Sequence, residues 1–146
     1  MDMLRFTKQV DYGLIAMQYI AEHRADAAVG VKRIADEFGI PAELLAKVCQ
    51  RLAKGGLLLA QSGPRGGYRL TLPSSAVTVG QVIRVLEGPL AIVRCMADHG
   101  ECAQGARCTL QNPARKIQAA ITNLLDTTTL AELTGDDVPA GLAAQP

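Results

Sequence analysis

The stretch IADEFGIPAELLAKVCQRLAKGGLLLAQSGPRGGYRL, Ile34 to Leu70, decides the fold. It begins inside a short amphipathic segment, VKRIADEF at 31–38, whose Val31, Ile34, Ala35 and Phe38 recur at helical spacing and are expected to face inward. Gly39 supplies the left-handed residue that a helix C-terminus favours. PAELLAKVCQRLAK then reads as a second helix, with Pro41 in its first turn, where a missing N–H costs nothing, and Gly55-Gly56 as its stop. After that the period changes. Leu57–Ala60 and Tyr68–Leu72 read as two short strands, and the Gly- and Pro-rich QSGPRGG between them reads as a turn. Two short helices, a tight Gly turn and a hairpin make a winged helix-turn-helix pattern.

The second helix of that pattern has two faces. Steps of about 100° per residue place Leu44, Leu45, Val48, Cys49 and Leu52 in one arc of about 140°, the expected core face. Lys47, Arg51 and Lys54 fall on the other side, where they can meet phosphates and base edges in a major groove. The wing adds Arg65 on a tip whose Gly66 and Gly67 let backbone approach a partner closely, with Arg69 nearby. Any one of these cations alone reads as a solvated face; together on a helix pair and a wing they point to double-stranded DNA. Cys49 lies on the apolar arc and is expected to be a buried core thiol.

Outward from this centre, Thr7 to about His23 is a helix with Leu14, Ile15, Met17, Ile20 and Ala21 at helical spacing and Thr7 as its cap. Thr78-Val-Gly-Gln81 fits a capping box that opens a helix to about Glu87, and Gly88-Pro89 ends it. Pro113 to Leu125 is another amphipathic helix, with Ile117, Ala120, Ile121, Leu124 and Leu125 on one side, and Thr129-Leu-Ala-Glu132 suggests a final capped turn. The expected fold is mainly α with a small β-hairpin wing. The chain divides into a winged helix-turn-helix at 1–88, a cysteine-bearing loop at 89–112, a helical segment at 113–134 and a loose, small and polar tail at 135–146.

Charge supports an anionic partner for the first half. Residues 1–72 carry ten Lys or Arg against seven Asp or Glu, a net of +3, whereas residues 73–146 carry five against seven, a net of −2. No signal-peptide pattern opens the chain, and no apolar run approaches the roughly 18 residues that span a bilayer. A cytoplasmic location without membrane partners is therefore expected, and there thiols stay reduced. With 2 His, no Gly-rich phosphate loop and no nucleophile–base pair, the sequence does not read as an enzyme, and no small-molecule substrate is expected.

The segment RCMADHGECAQGARC holds three of the 4 cysteines, spaced Cys95-x6-Cys102-x5-Cys108. Clustered cytoplasmic thiols bind metal or sense redox more often than they form structural disulfides. Thiolates are soft ligands for iron–sulfur clusters, zinc or copper(I). Gly100 and Gly105 let the loop wrap something larger than one ion. Three readings stand on the residues alone: a cluster one ligand short, a Cys3His zinc site with His99, or a thiol redox switch. A cluster carrier or redox protein would use the same thiols but would not need Lys47, Arg51 and an Arg-bearing wing.

In order along the chain, MLRFTKQVDYGLIAM, the helix-and-wing stretch, VGQVIRVLEGP and the three-cysteine loop resemble the IscR/NsrR family of bacterial iron–sulfur transcription regulators, over about residues 3 to 133. EGPLAIVRC is similar to members that regulate cluster assembly through the Suf system. The resemblance implies a homodimer on a near-palindromic operator, with the segment 113–134 carrying the dimerisation helix, and a cluster on Cys95, Cys102 and Cys108. It leaves the signal open among cluster availability, oxidation and nitric oxide. The IscR branch carries a His three residues after the last Cys, where this chain has Gln111, a poor ligand. The NsrR branch instead uses an early Asp of the partner subunit's first helix, which corresponds to Asp11. Both [2Fe–2S] and [4Fe–4S] fit, the former slightly preferred. Ala46-Lys47 replaces the Glu-Gln of the IscR reading face, so operator sequence does not carry over.

Overall fold

The computed structural model describes residues 7–89 and 111–134. The loop with Cys95, Cys102 and Cys108, and the tail expected at 135–146, lie outside the described residues. Helix α1 spans Lys8–Glu22, and the Thr7 side chain caps it by accepting from the Val10 N–H at 3.2 Å. Its Val10, Leu14, Met17 and Ile20 point into the core. Helix α2, Val31–Phe38, ends at Gly39, whose φ of 66° is the left-handed stop. Helix α3, Ala42–Lys54, buries Leu45, Val48, Cys49 and Leu52 against α1 and α2. Pro41 is its cap residue, one place earlier than the first-turn position expected.

The wing is the antiparallel pair β1, Leu58–Gln61, and β2, Gly67–Leu70, in register from Leu58↔Leu70 to Gln61↔Gly67. It is fastened to the body by Val29, which exchanges both backbone hydrogen bonds with Tyr68, at 2.9 and 2.8 Å. A capping box of Thr78 and Gln81 opens α4, Val79–Glu87, as its sequence indicates. Helix α5 covers Gln111–Thr127 and is followed by the single-turn α6, Leu130–Leu133, behind a second capping box of Thr129 and Glu132.

The C-terminal helices are stitched to α4. The Val79 N–H donates to the Thr128 carbonyl and the Leu130 N–H to the Val77 carbonyl, each at 2.9 Å, which seats Leu130 fully in the core. Arg84 grips Asp126 of α5 with two bonds of 2.5 and 2.8 Å. The core is aliphatic, with Leu45, Leu52, Leu58, Leu86 and Leu130 among its fully buried side chains. Truncating any of them to Ala is a change of about 2–5 kcal/mol.

Two apolar side chains depart from the sequence reading. Phe38, expected inward, is 49% exposed and lies edge-on to the Tyr19 ring, with centroids 5.9 Å apart. As the last residue of α2 it has no further turn to bury it. Leu44, expected on the core arc of α3, is likewise 49% exposed. The arc centres between Leu45 and Leu52, about 90° from Leu44, while Leu44 is only about 20° from Arg51. The second strand also ends at Leu70 instead of Leu72: the ladder closes at the Leu58–Leu70 pair, and beyond it the Thr71 N–H still reaches the Leu57 carbonyl at 3.3 Å.

Candidate nucleic-acid interface

Helix α3 turns Lys47 and Lys54 to solvent, as its wheel predicts. Arg51 is on the same side but is engaged. Its guanidinium donates to the Leu86 carbonyl in the last turn of α4 at 2.7 Å, and to the Gln9 side-chain oxygen of α1. One arginine thus joins three helices. A second link runs from the Thr7 hydroxyl to the Glu87 carboxylate. These bonds tie the reading helix and the start of α1 to the residues just before Gly88-Pro89, where the chain enters the cysteine segment.

The wing presents Arg65 and Arg69 to solvent. Its two central glycines have a reason within the chain itself. A Cβ on Gly66 would lie 2.2 Å from the Gln61 carbonyl oxygen. One on Gly67, whose φ is 150°, would lie 2.2 Å from the Val29 carbonyl oxygen. GPRGGY is therefore a folding device that sets the wing against the body and holds Arg65 at its tip. Lys47, Lys54, Arg65 and Arg69 are all exposed and make no ion pair among the described residues.

The sequence reading did not single out Lys8 and Tyr12. Their spacing along α1 puts both beside α3, where they line a hollow with Leu44, Lys47 and Val48. The i, i+4 spacing was visible, but which helix would face it was not. Asp11, in the first turn of α1, is exposed and makes no side-chain hydrogen bond or ion pair among the described residues. Cys49 is buried as expected, and burial pushes its thiol up to about 12.

Among the described residues no group of three His, Cys, Asp or Glu side chains is placed to hold a metal ion. The donor set of Cys95, Cys102 and Cys108 is chemically suited to a soft metal or an iron–sulfur cluster, and the exposed Asp11 carboxylate is a possible oxygen donor.

Residues 6–136 match the model of Rrf2, described as iron-dependent transcriptional regulator. The chain belongs to the Rrf2 family. Its fold is that of solved relatives. CymR (YrzC), the global cysteine regulator of B. subtilis, is 28% identical with a TM-score of 0.77, over 92% of this chain and 98% of that one. IscR of T. potens is 29% identical with a TM-score of 0.73, over 98% and 94%. The oxidized form of Staphylococcus aureus CymR is 25% identical with a TM-score of 0.71, over 94% and 100%. The mainly helical, winged architecture and the likeness to the IscR regulators read from the sequence both hold. Rrf2 members are transcriptional regulators, and this chain carries the Rrf2 helix pair and wing from α1 to α6.

Proposed function

We propose that this Rrf2 chain is a homodimeric, cytoplasmic DNA-binding regulator whose operator affinity is set by an iron–sulfur cluster on Cys95, Cys102 and Cys108, with Asp11 of the partner subunit as the fourth ligand. Lys47, Lys54, Arg65, Arg69 and, once freed from its internal bonds, Arg51 meet the operator; Gly66 and Gly67 shape the wing. The residues 89–112 form the cluster loop and α5, within 113–134, the dimer seam. Exposed Ile117 and Leu124 on α5 support that seam. When bound, a cluster supplies sensitivity to oxidants, to nitric oxide and to the supply of iron and sulfide.

The observation that carries the reading is the wiring of α4. Its last turn holds Arg51 of the reading helix through the Leu86 carbonyl, and the next residues enter the cysteine segment. A shift at the root of that segment moves the Leu86 carbonyl and so the hold on Arg51. The same shift reaches α1 through Thr7 and Glu87. In a dimer whose two heads must match half-sites about one helical turn apart, small displacements of this kind alter affinity strongly.

The test is an anaerobic visible spectrum of freshly purified protein, with iron, sulfide and zinc assayed on the same sample. Broad visible absorption with matching iron and sulfide is expected, and Cys102→Ala loses it while remaining a folded dimer. A colourless protein with about one zinc per chain contradicts the cluster. A second reading, a thiol redox switch on the same cysteines, is favoured by the likeness to the oxidized form of S. aureus CymR. It predicts a metal-free protein whose DNA affinity changes with oxidant alone.

A further inference from the structure

Beside the basic face of α3 the surface is concave. A hollow of about 350 Å³ lies between α1 and α3, with Tyr12, Leu44 and Val48 supplying apolar surface and Lys8 and Lys47 at its edge. Among the described residues no acidic side chain lines it. Leu44 is the third residue of α3 and half exposed, in the first turn of the helix whose basic face is proposed to meet the operator. Residues at the start of a reading helix are those that reach base edges. Leu44, Lys47 and Arg51 follow one another at i, i+3 and i+7 and therefore share one stripe.

We infer that Leu44 reads a thymine: its side chain, backed by Tyr12 and Val48, receives the C5-methyl group of one thymine in each operator half-site. Three observations converge on this occupant. The rim is cationic, which matches flanking phosphates. The floor is apolar, whereas most of a major-groove edge is polar; the thymine methyl is the apolar group that a base pair presents there. And Leu44 stands out of the protein core, so its surface is available to a partner. Leu44 is thus a specificity-determining residue, with Lys8 and Lys47 giving sequence-independent attraction around it. This inference rests on the DNA-binding reading above.

The experiment uses the full chain. A random duplex pool is first selected to obtain the preferred operator, and each thymine is then replaced singly by uracil, which removes only the methyl. One position per half-site is expected to lose about three- to tenfold in affinity, the size of a buried methyl contact. Leu44→Ala should bind the thymine and uracil operators equally, while Leu44→Met, which keeps apolar contact, should retain the preference. Lys47→Ala should weaken both operators alike. A uracil scan with no sensitive position, or a Leu44→Ala protein that still prefers thymine, overturns the assignment. A Leu44→Ala protein altered only in dimer dissociation also overturns it, and gives the hollow to the partner subunit. A pool that yields no preferred sequence defeats the DNA-binding reading itself, an outcome distinct from a flat uracil scan on a good operator.

Discussion

Gly67 shows how much one hydrogen atom can carry. Its α-carbon is pressed against the Val29 carbonyl, and a methyl group there would overlap that oxygen. Gly67→Ala must therefore break the Val29–Tyr68 pairing that holds the wing to the body. We expect a loss of about 1–3 kcal/mol in urea unfolding, together with weakened DNA binding. Unchanged stability would mean that the wing is not docked as described. Cys49 makes the opposite point about chemistry. With its thiol buried and its pKa pushed up to about 12, it should stay unlabelled by iodoacetamide in the native protein at pH 8 and react once the chain is denatured. Because the folded value is raised, the contribution of Cys49 to stability is intact below its ordinary thiol range. It should fall as pH climbs from there toward 12. The buried identity of Cys49 was legible in the sequence because it falls on the apolar arc of α3, next to Leu45 on the wheel. Phe38 departs from its wheel position because α2 ends there, and Leu44 because it lies at the edge of the apolar arc, close to Arg51.

Elements were more legible than contacts. Thr7, Thr78 and Thr129 announce three helix starts, and all three side chains cap where the sequence places them. Thr78→Ala should cost about 1 kcal/mol by thermal or urea unfolding, since it frees the Gln81 N–H and dissolves the capping box. The joints between elements were not legible. Arg51 reads as one more cation on a polar face, yet it reaches Leu86, 35 residues away in sequence. Nothing local in the sequence pairs those positions. The Arg84–Asp126 clamp between α4 and α5 is a second such joint. The hydrogen bond from Arg84 holds the Asp126 carboxyl below its ordinary value. The clamp is therefore present at neutral pH and is lost as pH falls through that lowered value. Asp126→Asn should abolish this acid dependence while changing neutral-pH stability little, because the pair is solvent-exposed. Amide exchange in α5 followed between pH 7 and pH 3 would read it.

At the scale of the molecule, the basic face of α3 is joined through Arg51 to the end of α4, from which the chain runs on to the cysteine segment. Arg51→Lys is the informative variant of that joint. A lysine keeps the positive charge but cannot span Leu86 and Gln9 together as a planar guanidinium does. DNA binding should persist in Arg51→Lys, while its dependence on the state of the cysteine segment shrinks. An unaltered dependence would place the coupling elsewhere. The winged fold could be read from the Ile34–Leu70 stretch because glycine, proline and period all agree there. The candidate cluster site could be read only as composition, since three thiols fix a donor chemistry and leave its partners to tertiary and quaternary structure. The proposed control of DNA affinity by the cysteine segment is tested most directly by titrating one operator with the same protein before and after anaerobic loading of iron and sulfide, at fixed salt. Affinities that differ by tenfold or more are expected, the scale of about 1.4 kcal/mol of coupling. Equal affinities for the loaded and unloaded protein would contradict it.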